Sequence, residues 1–352
     1  MEHAYDTSGR RIHAHGAKVV GLVACVPATR VDNLSFTERF GESAVSDVVK
    51  MIGVKTRRVA EKGVTTRDLC RVAGEKLLGK LGWDRKTVDA VVFLSQTPDF
   101  ILPATACALH ADWQLPSSCI AFDINLGCSG YPYALWQAMM MIQTGAAKRV
   151  LLAVGDTISK IIDENDRSTA MLFGDAGTVT ALEADENGFS TFLLGTDGAG
   201  VRNLIVPQGA FRSEERVDPR LEGKRSDCLY MDGGEIFNFT LKSVPILIAN
   251  SLALAKLSVD DVDAFLLHQA NFFMIKHLAK KSKVPSEKLP ININEYGNTS
   301  SASIPLLMAD LLADRLKSES LQLALFGFGV GYSWASAILK IGPLKCVEVI
   351  EL

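Results

Sequence analysis

Apolar residues along this chain fall into short unbroken runs, separated by longer segments in which they recur at helical spacing. KVVGLVACV from Lys18, VDAVVFL from Val88, CIAFDIN from Cys119 and KRVLLAVGDT from Lys148 read as strands apolar on both faces. Between them lie helical patterns: a charged one from Ser35 to Lys50, DLCRVAGEKLLGKLG introduced by Thr65 and Thr66 and closed by Gly82, Ala104 to Trp113, and Tyr133 to Thr144. Strand and helix alternate, which is the signature of a sheet covered on two sides. FGDAGTVTALEADENG follows as a glycine-bracketed strand and its exit.

Beyond that exit the order of elements starts again. VDAFLL near Val262 echoes VDAVVFL near Val88, with Asp263 answering Asp89, and LQLALFGFGVGY repeats KRVLLAVGDT, with Gly327 answering Gly155. ININEYGNTSSASIPLLMADLLADR stands where FDINLGCSGYPYALWQAMMMIQTG stood, and the matched elements keep a spacing of roughly 170 residues, too long for a solenoid. The pattern predicts two similar α/β halves, residues 18–186 and 187–352, joined near Glu183 to Asn187, with residues 1–17 as a loose polar extension.

Composition narrows the function classes. A net charge of -3 with both signs dispersed gives no basic face for nucleic acid. Seven cysteines, odd in number and without a CxxC, match neither a disulfide framework nor a zinc site, so no metal is expected and the expected compartment is a reducing cytoplasm. The polar start lacks the apolar core of a signal peptide, and no run of about 18 apolar residues suggests a membrane span. The basic run Lys55, Arg57, Arg58 reads as a solvated face.

The sharpest chemistry lies at Cys128, on a tight strand-to-helix turn between Gly127 and Gly130. The following helix aims unpaired N–H groups back at the sulfur, and its dipole favours the nucleophilic thiolate. A Cys in an apolar context is also, by default, a small hydrophobe. The duplication brings His268 and Asn298 of the second half to equivalent strand ends, and sites of open α/β sheets form beyond the carboxyl ends of strands. Alone, His268 reads equally as a loop cap and Asn298 as an N-cap. The GFGVG turn fails as a dinucleotide loop, because Tyr332 replaces the third glycine and SWASAILKI after it is strand-like.

Four motifs together carry a family: GCSG at Cys128, HQAN at His268 to Asn271, YGNTSSAS at Tyr296 to Ser303 and GFGVGYSW at Gly327 to Trp334. The chain resembles the condensing enzymes of the thiolase superfamily, most closely the β-ketoacyl-acyl-carrier-protein synthase III type, from about Lys18 to Ile341. The resemblance implies a thiolase-like five-layered αβαβα fold of two duplicated halves, a homodimer, and a Cys128, His268, Asn298 triad. It implies acyl transfer from a thioester to Cys128 and then decarboxylative Claisen condensation with a malonyl thioester, in fatty-acid or specialised lipid and polyketide biosynthesis. A thiol suits the first step because its exchange with a thioester is nearly balanced in energy. Oxyanion donors are expected from the backbone N–H of Cys128 and of Val330. No cofactor is expected to stay bound; acyl-CoA or acyl-carrier-protein thioesters are substrates.

By the same resemblance, Arg167, Gly233, Phe237 and Asn271 bind the substrate arm. Ile101, Leu102 and Cys107 contribute to an acyl pocket, and Lys276, Lys280 and Lys281 form one face for docking an acidic carrier protein. Family members commonly hold the adenine of coenzyme A between an Arg and a Trp a few residues before the turn at Gly53. Ser46 to Met51 reads SDVVKM, with no Trp, so a primer other than plain acetyl-CoA is expected. Two other readings remain: acyl transfer to an oxygen or nitrogen acceptor, and a non-catalytic partner subunit of another synthase.

Overall fold

A computed structural model describes residues 9–211 and 219–352. Nine strands form one hydrogen-bonded sheet: β1 (Arg10–Val26), β2 (Ala90–Leu94), β3 (Ile120–Ile124), β4 (Arg149–Asp156), β5 (Ala176–Thr196), β6 (Ala264–Leu267), β7 (Leu321–Gly329), β8 (Ser333–Ile341) and β9 (Cys346–Glu351). The helices that matter here are α1 (Glu42–Ile52), α2 (Thr66–Leu81), α3 (Thr105–Asp112), α4 (Gly130–Gln143), α5 (Gly233–Ala255), α6 (Phe272–Lys281) and α7 (Ser303–Leu311).

The strand order contains the repeat. One lobe runs β3-β2-β4-β5-β1, with β9 added beyond β1; the other runs β6-β7-β8-β5. The first stretch of β5 pairs with β4, and its last stretch, from Ser190 to Thr196, pairs with β8. β1 is shared in the same way, pairing with Gly177–Ala184 through one end and with Phe189–Leu194 through the other. The second lobe has no counterpart of β3, because ININE turns into a single helical turn at Ile293–Tyr296. Equivalent aspartates play equivalent parts. The Asp89 carboxylate accepts from the N–H groups of Lys148 (2.7 Å) and Arg149 (3.0 Å), and that of Asp263 from the N–H of Gln322 (2.7 Å).

Side-chain alternation builds five layers. On β2, Ala90, Val92 and Leu94 face a central cluster with α4, while Val91 and Phe93 face an outer one with α2 and α3. On β7, Leu323 and Leu325 face the same central cluster, which includes α7, and Ala324 and Phe326 face an outer one with α5 and α6. A strand with both faces covered must be apolar on both, which is why these runs are unbroken.

Four expectations change. β1 starts at Arg10, not Lys18, so residues 10–17 are no loose extension; RRIHAH is too polar to read as a strand and is held there by β5. The remainder of that extension, residues 1–8, lies outside the described residues. The junction expected at residues 186 and 187 falls inside β5, where residues 185–188 bulge against Gly16 and the strand then continues; the polar run marks that bulge, not a linker. Arg57 and Arg58 are buried: Arg57 donates to Asn33 Oδ1 (2.8 Å) and the Phe173 carbonyl (3.1 Å), and Arg58 to the Pro27 carbonyl (2.9 Å) and Glu351 (2.6 Å). Lastly, α5 is long and apolar enough by composition to cross a membrane, yet here it packs its buried face, with Phe239, Val244, Leu247 and Ile248, on the second lobe.

Candidate active site

The end of β3, the end of β6 and the segment before α7 meet at one cavity of about 80 Å³, lined by Cys128, His268 and Asn298 together with Gly233, Thr240, Asn271 and Met274. Each residue is placed by its own local structure. Cys128 precedes α4, and its turn packs against the β7–β8 connection so closely that only glycine fits there. A Cβ on Gly329, whose φ is +157°, would stand 2.8 Å from Cys128 Cβ and 3.1 Å from its sulfur. The backbone N–H groups of Cys128 and Val330 lie beside the sulfur and favour its charged form.

Those donors do not make the resting thiol acidic. Cys128 is 8% exposed, and burial, reinforced by the nearby Asp156 carboxylate, pushes it up to about 12. The ready ionisation expected from the helix dipole therefore loses to desolvation in the substrate-free protein. His268 follows directly from β6, its N–H bonded to the Phe326 carbonyl (2.8 Å). Its Nδ1 lies 2.7 Å from Ser303 Oγ, which accepts from the Gln269 N–H at 3.5 Å. Taking Ser303 as the donor to Nδ1 puts the ring proton on Nε2. Burial lowers His268 to about 3, so the imidazole is neutral throughout the physiological range.

Asn298 is clamped into a parallel bridge with Phe173: its N–H donates to the Leu172 carbonyl (2.9 Å) and its carbonyl accepts from Gly174 (3.1 Å). Its Oδ1 accepts from the Ser300 N–H (2.9 Å), which fixes the amide orientation and leaves Nδ2 as the donor group. Arg57, bonded to the Phe173 carbonyl, braces this bridge from behind.

Cys128 also borders a larger cavity of about 510 Å³, lined by Ile158, Ile161, Phe173, Leu204, Ile205 and Val330 among others. A third hollow of about 480 Å³ opens outward and holds Arg167, Lys224, Val48 and Met51; Leu172 and Met231 line both it and the catalytic cavity. A further hollow of about 460 Å³, near Lys18 and Lys340, contains none of the candidate residues.

The remaining sequence-based expectations divide. Gly233 and Asn271 line the catalytic cavity, where Asn271 also caps α6 by accepting from Met274 N–H (2.7 Å). Phe237 does not; it stacks on Phe273 at 6.2 Å. Ile101 and Leu102, 65% and 77% exposed, and the exposed Cys107 line neither cavity that reaches Cys128 within this chain. Lys276, Lys280 and Lys281 are all exposed; Lys276 lies over the Phe272 ring and Lys281 donates to the Leu241 carbonyl (2.9 Å). Sequence reasoning missed Asp156, Thr240, Ser300, Ser301 and Ser303. The serine run beside Asn298 and a lone acid ending an apolar strand were the available signals for four of them.

Models of the family described as 3-oxoacyl-[acyl-carrier-protein] synthase III match residues 122–198, and of its C-terminal part residues 252–341. The β-ketoacyl-[acyl-carrier-protein] synthase III of Clostridium tetani is 35% identical over 294 residues, 82% of this chain and 87% of that protein. That of Roseiflexus castenholzii is 34% identical over 329 residues, 93% of this chain and 98% of its own. Among solved structures, a 3-oxoacyl-(acyl-carrier protein) synthase from Burkholderia xenovorans is 60% identical, with a TM-score of 0.97 over 98% of this chain and 100% of that one.

Proposed function

The chain belongs to the 3-oxoacyl-[acyl-carrier-protein] synthase III family, and from that premise we propose that it forms carbon–carbon bonds by decarboxylative condensation of two thioesters, with Cys128, His268 and Asn298 as catalytic residues. The observation that carries this reading is the convergence of a thiol from one half and two neutral donors from the other on a single cavity.

In the first half-reaction Cys128 Sγ attacks the primer thioester carbonyl. The oxyanion accepts from the N–H groups of Cys128 and Val330, and the departing thiolate takes up the proton the cysteine gives up. In the second, the malonyl thioester loses CO2, and its enolate oxygen accepts from His268 Nε2–H and Asn298 Nδ2–H. The carbanion then attacks the acyl carbon and releases Cys128. Decarboxylation needs no proton abstraction, so a histidine too weakly basic to act as base at neutral pH suits the step.

Acyl-CoA and acyl-carrier-protein thioesters both fit an arm entering past Arg167, Leu172 and Met231 and running by Gly233 and Asn271 to the sulfur. Val48 and Met51 occupy the mouth with Arg167, in the stretch that lacks the family's tryptophan. The apolar lining of the 510 Å³ cavity supports a primer longer than acetyl. A homodimer is supported by β3, which ends the sheet with one edge unpaired, and by the exposed Phe100, Ile101 and Leu102 on the loop before α3. Lys276, Lys280 and Lys281 are the exposed candidates for docking a carrier protein.

Intact-protein mass after incubation with a panel of acyl-CoA and acyl-carrier-protein donors tests the reading. The expected result is one acyl group added to the wild type and none to Cys128→Ala; an adduct that persists in the variant overturns it.

A further inference from the structure

Behind Cys128 lies a carboxylate that the condensation steps above do not use. Asp156 ends β4 and is fully buried. Its Oδ1 accepts from the Gln96 N–H (2.7 Å) and the Ser95 hydroxyl (3.1 Å), both after β2. Its Oδ2 accepts from the Ser301 hydroxyl (2.6 Å) and N–H (3.3 Å), which belong to the other half. Ser300, next along, donates its N–H to Asn298 Oδ1 (2.9 Å) and lines the larger cavity that Cys128 borders. Ser300 itself holds φ +50°, a left-handed conformation uncommon outside glycine, so something must hold it there. Four or more donors converging on one carboxyl group favour its ionised form, although burial raises Asp156 from the usual carboxylate value.

We infer that Asp156 is a positioning residue: through Ser301 it fastens the Asn298–Ser303 segment of the second half against the β2 and β4 strand ends of the first. The segment it fastens carries two working parts: Asn298, and Ser303, the hydrogen-bond partner of His268 Nδ1. Among the described residues, the titratable groups around Cys128 are Asp156 from β4, the neutral His268 from the end of β6, and Asp227, which lines the larger cavity; the 298–303 segment and the β7–β8 connection bring only hydroxyl, amide and backbone groups. The Asp156 charge opposes ionisation of the sulfur.

The inference rests on Cys128 being the nucleophile, and the first of its two tests needs no acyl substrate. Below the thiol midpoint, alkylation rate follows the thiolate fraction, tenfold per pH unit. Iodoacetamide labelling at pH 8 is read on the Cys128 peptide by mass spectrometry, because Cys107 is exposed. Asp156→Asn is expected to label about tenfold faster than wild type. Ser301→Ala keeps the carboxylate but loses its shortest bond to the segment. It is expected to lower kcat about tenfold for condensation with KM unchanged. Equal labelling rates for wild type and Asp156→Asn, or an unchanged kcat in Ser301→Ala, would overturn the inference. Failure of acyl transfer with the labelling differences intact would count against the condensing reaction instead.

Discussion

The two halves of this molecule share a strand order and contribute opposite kinds of chemistry. The first ends its strands in a sulfur, backed by two backbone donors and a buried carboxylate. The second ends its strands in two neutral hydrogen-bond donors and lacks the edge strand that the first keeps. On the proposed reaction, the thiol side of the cavity holds an acyl group while the side with His268 and Asn298 stabilises negative charge. The framework aspartates, Asp89 and Asp263, remained alike because they tie strands together far from the cavity.

This division of labour is open to a direct break. His268→Ala and Asn298→Ala are each expected to retain the acyl adduct while CO2 release from a malonyl thioester falls about 10²–10³-fold, the effect of losing one oxyanion donor. Loss of the adduct in both variants would merge the two roles. Next in size, Gly329→Ala puts a methyl 2.8 Å from Cys128 Cβ, and acyl transfer in a single-turnover measurement is expected to slow by about 10–100-fold through displacement of the sulfur.

The framework comparison is sharpened by stability. Asp89→Ala and Asp263→Ala are each expected to cost about 1–2 kcal/mol in urea unfolding, with Asp89 the larger because its carboxylate holds two N–H groups against one. The reverse order would deny the equivalence. A last effect concerns pH. His268 is held at about 3, below its unfolded value near 6.5, so the unfolded chain binds the extra proton and stability falls as pH drops through that window, by up to about 1.4 kcal/mol per unit. A His268→Gln variant is expected to flatten the urea-midpoint profile between about pH 6.5 and 4.

Much of the fold was legible because β2, β4 and β7 are covered on both faces and advertise it with unbroken apolar runs. The N-terminal end of β1 was not, since Arg10 to His15 form a strand only because β5 is beside them. Nor was the fate of Arg57: a guanidinium buried on carbonyls has the same local spelling as one in water. The convergence of Cys128, His268 and Asn298 on one cavity was legible through their motifs and repeat positions. The acidity of Cys128 was misjudged because helix position is visible in a sequence and desolvation is not. Asp156, Ser300 and Ser301 escaped because a supporting network is defined by distances between segments, and its members are individually ordinary.

The sharing of β1 and β5 between lobes bears on how the chain can be divided. Cut between residues 186 and 187, the amino-terminal piece keeps an arm of β1 whose partner has gone, and the carboxy-terminal piece loses most of β5 together with the central helix α4. β9, which borders β1, would sit on the wrong fragment. Neither piece retains a closed set of strands, so the repeat unit of ancestry is not a unit of folding. The protein is expected to melt in one cooperative transition, and its halves to regain structure only when mixed.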